Sequence, residues 1–477
     1  MKSFWVRSML ILACTGILGA CAIGPRYVKP PAATPASYKE AGNWKLAQPR
    51  DADNRGPWWE VFGDPQLNLL VQQVEVSNQD VRAAEARLRQ AEALVEQSRA
   101  GFFPTLTGNA SASRSRTPSV SGSSTAGTAP SNVYNLALNA SWAPDLWGSV
   151  RSAVAANVAS AQAGAANLAG VRLLAQAQVA INFFQLRVLD TQRQLLETTV
   201  AAYQKSLELT RNRYNAGVAA RAEVVLAETQ LRSTQAQLID VGVQRAQFEH
   251  AIAVLIGKPP ADFSLPPAAL STAIPVLPPG LPSELLERRP DIAAAERQMA
   301  AANAQIGVAQ AAYFPTLTLT GSLGFRANSP PVWLTAPSRL WSVGPALAQT
   351  LFDGGSRRAV KKQAEAAYDA NVAAYRQTVL NAFREVEDNL SALRILEEEA
   401  RAQEDAVRSS RLSTELTVNQ YKAGTVNYLN VVTVQATQLN NEAAAVKLLG
   451  QRLVAAVTLV QALGGGWSGQ PAGVTPR

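Results

Sequence analysis

The sequence predicts an α+β fold built from two tandem copies of one unit, each made of two β-strands and a long antiparallel helical hairpin. Three observations carry this expectation. First, 207 residues separate Gly148 from Gly355, Tyr214 from Tyr421, Gly217 from Gly424 and Gly257 from Gly464. An offset held over more than a hundred residues marks an internal repeat. Second, a strand-like stretch interrupts helical sequence twice. It runs from Phe102-Phe103-Pro104-Thr105-Leu106 to Asp145-Leu146-Trp147-Gly148-Ser149, and again from Tyr313-Phe314-Pro315-Thr316-Leu317 to Phe352-Asp353-Gly354-Gly355-Ser356. Third, apolar positions recur at alternating spacings of four and three, as in coiled helices.

The N-terminus comes first in chain order. Lys2 and Arg7 precede the apolar run Met9 to Ala20, which is too short to span a bilayer as a stable helix. It ends at Leu18-Gly19-Ala20-Cys21, which resembles a lipobox. The resemblance implies a lipoprotein signal at 1–20, cleavage before Cys21, and acylation of Cys21 on its sulfur and its new amine. Cys14 leaves with the signal. An ordinary secretory signal with an incidental cysteine is the alternative. Residues 21–60 are rich in Pro, Ala, Gly and Asn and read as an acylated, extended segment.

The first repeat spans 61–257. Asp64-Pro65 places a cap-like Asp before a first-turn Pro, so a helix is expected from there to about Ala100. After the strands, helices are expected from Ser149 to Tyr214 and from Ser356 to Tyr421, with both serines as N-caps. The seam Asn182, Leu186, Leu189, Arg193, Leu196, Val200, Tyr203, Leu207, Thr210, Tyr214 follows the four-three rhythm. So does the returning series Leu429, Val432, Ala436, Leu439, Ala443, Val446, Gly450, Leu453, Val457, Val460. The turns Tyr214-Asn215-Ala216-Gly217 and Tyr421-Lys422-Ala423-Gly424 put Gly where a helix terminates in the left-handed conformation. Residues 258–283 form a Pro-dense linker that cannot be helix interior. The second repeat takes 284–464, and 465–477 is an irregular tail. The small residues on the seams suit a sheet or cylinder of helices; a long, loosely packed bundle is the other reading.

The strands alternate. Tyr134, Leu136, Leu138, Ala140 and Trp142 share one face, and Asn135, Ala137, Asn139 and Ser141 the other. In the second copy Leu317, Leu319, Gly321, Leu323 and Phe325 alternate with Thr316, Thr318, Thr320 and Ser322. Apolar outside and small polar inside is the pattern of a membrane barrel around a wet lumen. A soluble sheet with one face on a core gives the same alternation. Four strands cannot close a barrel and an open edge is not tolerated in lipid, so the membrane reading demands oligomerisation. The stretches Ser113–Ser131 and Arg326–Ser338 are then external loops.

Composition narrows the function. One His and two Cys leave little material for metal sites or nucleophilic catalysis. The net charge of +8 is spread thinly, without the concentrated basic patch that nucleic-acid binding requires. His250, Glu397-Glu398-Glu399 and Arg288-Arg289-Pro290-Asp291 read as structural, the last as a helix start. No enzyme constellation emerges.

The segment Pro282 to Pro315, PSELLERRPDIAAAERQMAAANAQIGVAQAAYFP, resembles the signature of outer-membrane efflux proteins. So does Trp58-Trp59-Glu60-Val61-Phe62-Gly63-Asp64-Pro65. With Cys21 and the repeat, the chain resembles the lipoprotein branch of the TolC-like family, the OprM or NodT type. That resemblance implies a homotrimer with a twelve-stranded barrel in the outer membrane and a helical tunnel across the periplasm. It implies an exit duct fed by a periplasmic adaptor and an inner-membrane pump of the resistance-nodulation-division type. No cofactor is implied beyond N-palmitoyl and S-diacylglycerol on Cys21. Tyr214, Gly217, Tyr421 and Gly424 correspond to the tips that meet the adaptor. Relatives carry carboxylates six and nine residues after the tip Gly. Here those entrance-lining places hold Asn430 and Thr433 in the second repeat, and Glu223 and Leu226 in the first, so an acidic constriction would rest on Glu223. A non-channel coiled-coil lipoprotein, or an adaptor, is the rival reading.

Overall fold

The computed structural model describes residues 24–32, 34–35, 37–39, 57–116, 130–270, 274–275 and 288–465. Cys21, the signal, part of the linker and the tail beyond 465 lie outside them. The chain divides into two compact units. One takes the described residues within Met1–Pro30, Leu88–Ala163 and Ala295–Tyr375, and the other those within Pro31–Arg87, Gly164–Ala294 and Arg376–Arg477.

Helix α1 spans Pro65–Ser77 and α2 spans Gln79–Arg99. Asp64 caps α1 as its position suggests, accepting from the backbone N–H of Gln66 at 2.8 Å and Leu67 at 3.1 Å. One continuous helix was the expectation from sequence, but the chain breaks at Asn78. The break has a tertiary cause. Ser77 Oγ donates to Ile256 O at 2.5 Å and Asn78 Nδ2 to Leu255 O at 2.7 Å, while Asn78 Oδ1 accepts from Val81 N–H at 3.0 Å. The first two satisfy the last carbonyls of a distant helix, and the third caps the start of α2. Gly257 makes the approach possible, because a Cβ there would stand 2.1 Å from Ser77 O.

Two long hairpins follow the strands. Helix α3 spans Ser149–Asn215 and α4 Arg221–Leu255. The short helix α5 covers Pro290–Ala311, so the Arg-Arg-Pro-Asp run does start a helix. Helix α6 spans Ser356–Lys422 and α7 Tyr428–Ala462. Both long helices have 67 residues, or about 100 Å at 1.5 Å per residue. Their N-termini are capped differently from the expectation. Asp145 accepts from Val150 and Arg151 N–H, and Asp353 from Gly355 and Arg357 N–H. A carboxylate serves this role better than Ser149 or Ser356, because its charge also complements the helix dipole.

The α3 seam is buried from Asn182 through Thr210 except at Arg193 and Val200, and its end residue Tyr214 is exposed. On α7 the seam slips by one position near the turn. The buried residues are Tyr428, Val431 and Gln435, not Leu429, Val432 and Ala436, and the two series merge at Leu439. Further along, Gly450 lies against Val188, whose Cγ2 would be 2.3 Å from a Cβ. By length and composition α7 could cross a membrane, but its buried face packs on other helices of the chain.

The strands form one antiparallel sheet, ordered β1 (Thr105–Ser115), β2 (Ser131–Trp142), β3 (Thr316–Ala327) and β4 (Arg339–Ala348). Register fixes the faces. Leu138 is opposite Leu323, which is opposite Trp341, and Trp142 is opposite Leu319, which is opposite Pro345. Because side chains alternate, one face collects Leu106, Leu136, Leu138, Leu319, Leu323, Trp341, Val343 and Leu347. All of these are exposed, from 38% at Leu136 to 77% at Val343. The opposite face carries Thr107, Asn139, Thr320, Ser322 and Ser342, with Ser322 and Ser342 hydroxyls 2.8 Å apart. A soluble sheet covers its apolar face; this one does not. Strands β1 and β4 each leave one edge unpaired within the sheet.

Candidate functional site

The turn ends of the two hairpins carry the densest chemistry. Gly217 and Gly424 have φ of 72° and 79°, a region that strains any residue with a Cβ. Both turns close identically. Gly217 N–H donates to Tyr214 O and Val218 N–H to Arg213 O, each at 2.9 Å. Gly424 N–H donates to Tyr421 O and Thr425 N–H to Gln420 O, each at 3.0 Å.

The side chains diverge. Tyr421 is 2% exposed, whereas Tyr214 is 43% exposed. Tyr421 packs in an apolar cluster with Tyr203, Leu207, Ala227, Leu231, Tyr428 and Val431, drawn from all four hairpin helices. Its ring meets Tyr428 edge-on at 5.3 Å. Its hydroxyl donates to Glu223 Oε2 at 3.1 Å and lies 3.3 Å from Thr210 Oγ1. The Arg213 guanidinium sits 4.7 Å from the centre of the Tyr421 ring. Arg213 Nη1 donates to Tyr421 O at 2.9 Å and to Lys422 O at 3.4 Å, satisfying carbonyls at the end of α6. Burial raises the Tyr421 and Tyr203 hydroxyls above the ordinary 10.0, and burial with the neighbouring phenols does the same at Tyr428.

The residues singled out in the sequence therefore scatter. Glu223 is half-buried and bonded to Tyr421, while Asn430 and Thr433 are exposed on α7. Thr433 Oγ1 donates to Leu429 O at 2.9 Å, and Asn430 N–H donates to the capping Asn427 Oδ1 at 3.3 Å. Arg213 and Tyr428 escaped the sequence reading, and Thr210 entered it only as a position of the helical seam. A basic side chain in the last turn of a helix was the available signal for Arg213.

A second cluster holds the start of the linker. Asp190 and Arg187 have side chains 2% exposed and pair at 2.7 Å. Arg245 Nε meets Asp190 at 2.7 Å and Arg245 Nη1 meets Glu249 at 3.2 Å. These groups bind backbone: Arg187 to Pro266 O at 2.8 Å, Asp190 to Ala268 N–H at 3.1 Å, and Arg245 to Leu265 O at 2.5 Å. Every charge is paired and hydrogen-bonded, which is the condition for burying it. The cluster fixes a chain path and presents no reactive group.

A tandem strand-and-hairpin chain with an uncovered apolar sheet face and two open edges has the fold of TolC-like outer-membrane channels. Comparisons agree along the whole chain. The outer membrane efflux protein family matches residues 70–258 and 281–465. The pyoverdine export outer membrane protein OpmQ of Pseudomonas aeruginosa is 33% identical over 473 residues, covering 98% of each chain. The outer membrane protein OprJ of the same species is 34% identical, covering 96% of this chain and 95% of its own. The solved structure of the outer-membrane channel OprN superposes with a TM-score of 0.87 at 32% identity, over 94% of this chain and all of that one. The chain belongs to the outer membrane efflux protein family, and it is an outer-membrane efflux channel.

Proposed function

We propose that the chain is the exit duct of a tripartite efflux system and works as a homotrimer. Three four-stranded sheets close a twelve-stranded barrel, and the hairpins of three copies form the tunnel. The observation that carries this is the sheet: an exposed apolar face with two unpaired edges has no stable place in water or lipid until other copies pair them. A periplasmic adaptor meets the turns at Tyr214, Gly217, Tyr421 and Gly424, and an inner-membrane pump of the resistance-nodulation-division type supplies the substrate. The duct does no chemistry. Glu223, Asn430 and Thr433 belong to its entrance. Cys21, acylated on sulfur and amine, adds a lipid anchor. Relatives named for toluene and antibiotic efflux in Pseudomonas putida support an efflux role.

Extraction tests the reading. The expected product is a detergent-soluble, heat-modifiable trimer in the outer-membrane fraction. A monomer released by removing the lipid alone would sink the barrel and favour the coiled-coil lipoprotein. Mass spectrometry of the mature N-terminus tests the acylation separately.

A further inference from the structure

The two strand-to-helix junctions differ in charge. In the second repeat, Leu347 is 70% exposed and both Leu351 and Phe352 are 89% exposed, so exposed apolar side chains extend past the end of β4. Helix α6 then opens with four cations in six residues: Arg357, Arg358, Lys361 and Lys362. Arg357 pairs with Asp353 at 2.6 Å and stands 5.7 Å over the Tyr313 ring, and Lys361 pairs with Glu365 at 3.4 Å. Arg358 and Lys362 are exposed, four residues apart on one helix stripe, and make no ion pair among the described residues. The equivalent positions of the first repeat hold Val150, Arg151, Val154 and Ala155, where the single cation is paired with Asp145 at 3.2 Å.

We infer that the α6 junction is a binding site for an anionic phospholipid of the periplasm-facing leaflet, with the phosphate on Arg358 and Lys362 and an acyl chain along Leu347, Leu351 and Phe352. Two observations choose this occupant. Exposed apolar side chains extend from the last residues of β4 into the junction, and two unpaired, exposed cations follow within the first two turns of α6. Tyr313 and Arg357 flank the site as interfacial anchors. The site presupposes the channel function proposed for the chain.

The test uses the full-length protein in nanodiscs of phosphatidylethanolamine with a minor fraction of either phosphatidylglycerol or phosphatidylcholine, and counts lipids retained on the released trimer by native mass spectrometry. Wild type is expected to retain phosphatidylglycerol in preference to phosphatidylcholine. The preference should fall about fivefold in Lys362→Gln and roughly twenty-fivefold in the Arg358→Gln/Lys362→Gln pair, while Arg358→Lys keeps it. Equal preference in the double variant and wild type overturns the site. So does full displacement of the lipid by inorganic phosphate, which would mark a free-anion site. Disc size is read first: a chain that never enters the disc as a trimer overturns the channel reading together with the site, whereas an intact trimer without preference overturns the site alone.

Discussion

The turns at Gly217 and Gly424 have the same local sequence logic, the same backbone hydrogen bonds and nearly the same φ, yet their tyrosines have opposite fates. Tyr421 lies under Arg213 and against Glu223; Tyr214 faces solvent. The difference comes from the residues on either side of each turn and from those that face it. Arg213 corresponds to Gln420, Arg221 to Tyr428, and Glu223 to Asn430. The first hairpin supplies the charges, Arg213 and Glu223, and the second supplies the ring that they clasp, Tyr421. The backbone of the turn is repeated, and Arg213, Glu223 and Tyr428 around Tyr421 make one hairpin the clasp of the other.

The largest expected effect breaks the comparison outright. Tyr421→Ala opens a cavity in a shared cluster and should cost about 3–5 kcal/mol, whereas Tyr214→Ala should stay within about 0.5 kcal/mol. Hydrogen exchange of the amides in 200–230 and 415–440 reads this directly as lost protection, and equal losses would mean that the tips are equivalent after all. Next, Gly217→Ala and Gly424→Ala should each cost about 1–2 kcal/mol, since both positions are strained by conformation and a Cβ meets nothing within 4 Å at Gly217 and only Arg213 Nη2 at an ordinary 3.6 Å at Gly424. A large difference between these two would show that the turns themselves, and not their neighbours, diverge.

Smaller still is Tyr421→Phe, which removes only the hydroxyl bonds and should cost about 1 kcal/mol. Its pH dependence has a definite sign. The folded state holds the Tyr421, Tyr203 and Tyr428 protons more tightly than the unfolded chain, so unfolding releases protons at alkaline pH. Tip protection should be flat below pH 10 and decline above it, and Tyr421→Phe should lessen that decline. The least effect is expected from Glu223→Gln on conductance. Its carboxylate is engaged by Tyr421, and Asn430 and Thr433 carry no charge, so block by multivalent cations should be weak in wild type and change little. Strong block abolished by the substitution in single-channel recording would show an electrostatic entrance.

Much of the architecture was legible because it rests on local periodicities. The helix ends at Tyr214 and Tyr421 came within one residue, since Gly at a left-handed terminator is a backbone requirement. The apolar face of the strands was legible for the same kind of reason, as an alternation of two. The break at Asn78 was not, because it depends on carbonyls of residues 255 and 256 that lie far along the chain. Nor was the one-position slip on α7, which arises from Tyr428 entering the tyrosine cluster. Arg213 itself is flagged by its place in the last turn of a helix, but the carbonyl and ring that it clasps were not legible, since they lie 208 residues away.

The sequence alone determined the repeat, the strand count, the long hairpins and the family, all of which are properties of spacing and residue type. The tertiary structure decided which copy of a duplicated residue is buried, which carboxylate is engaged and which cations stay exposed. These depend on neighbours brought together across the chain, where packing and desolvation, not local propensity, set the energy of each group.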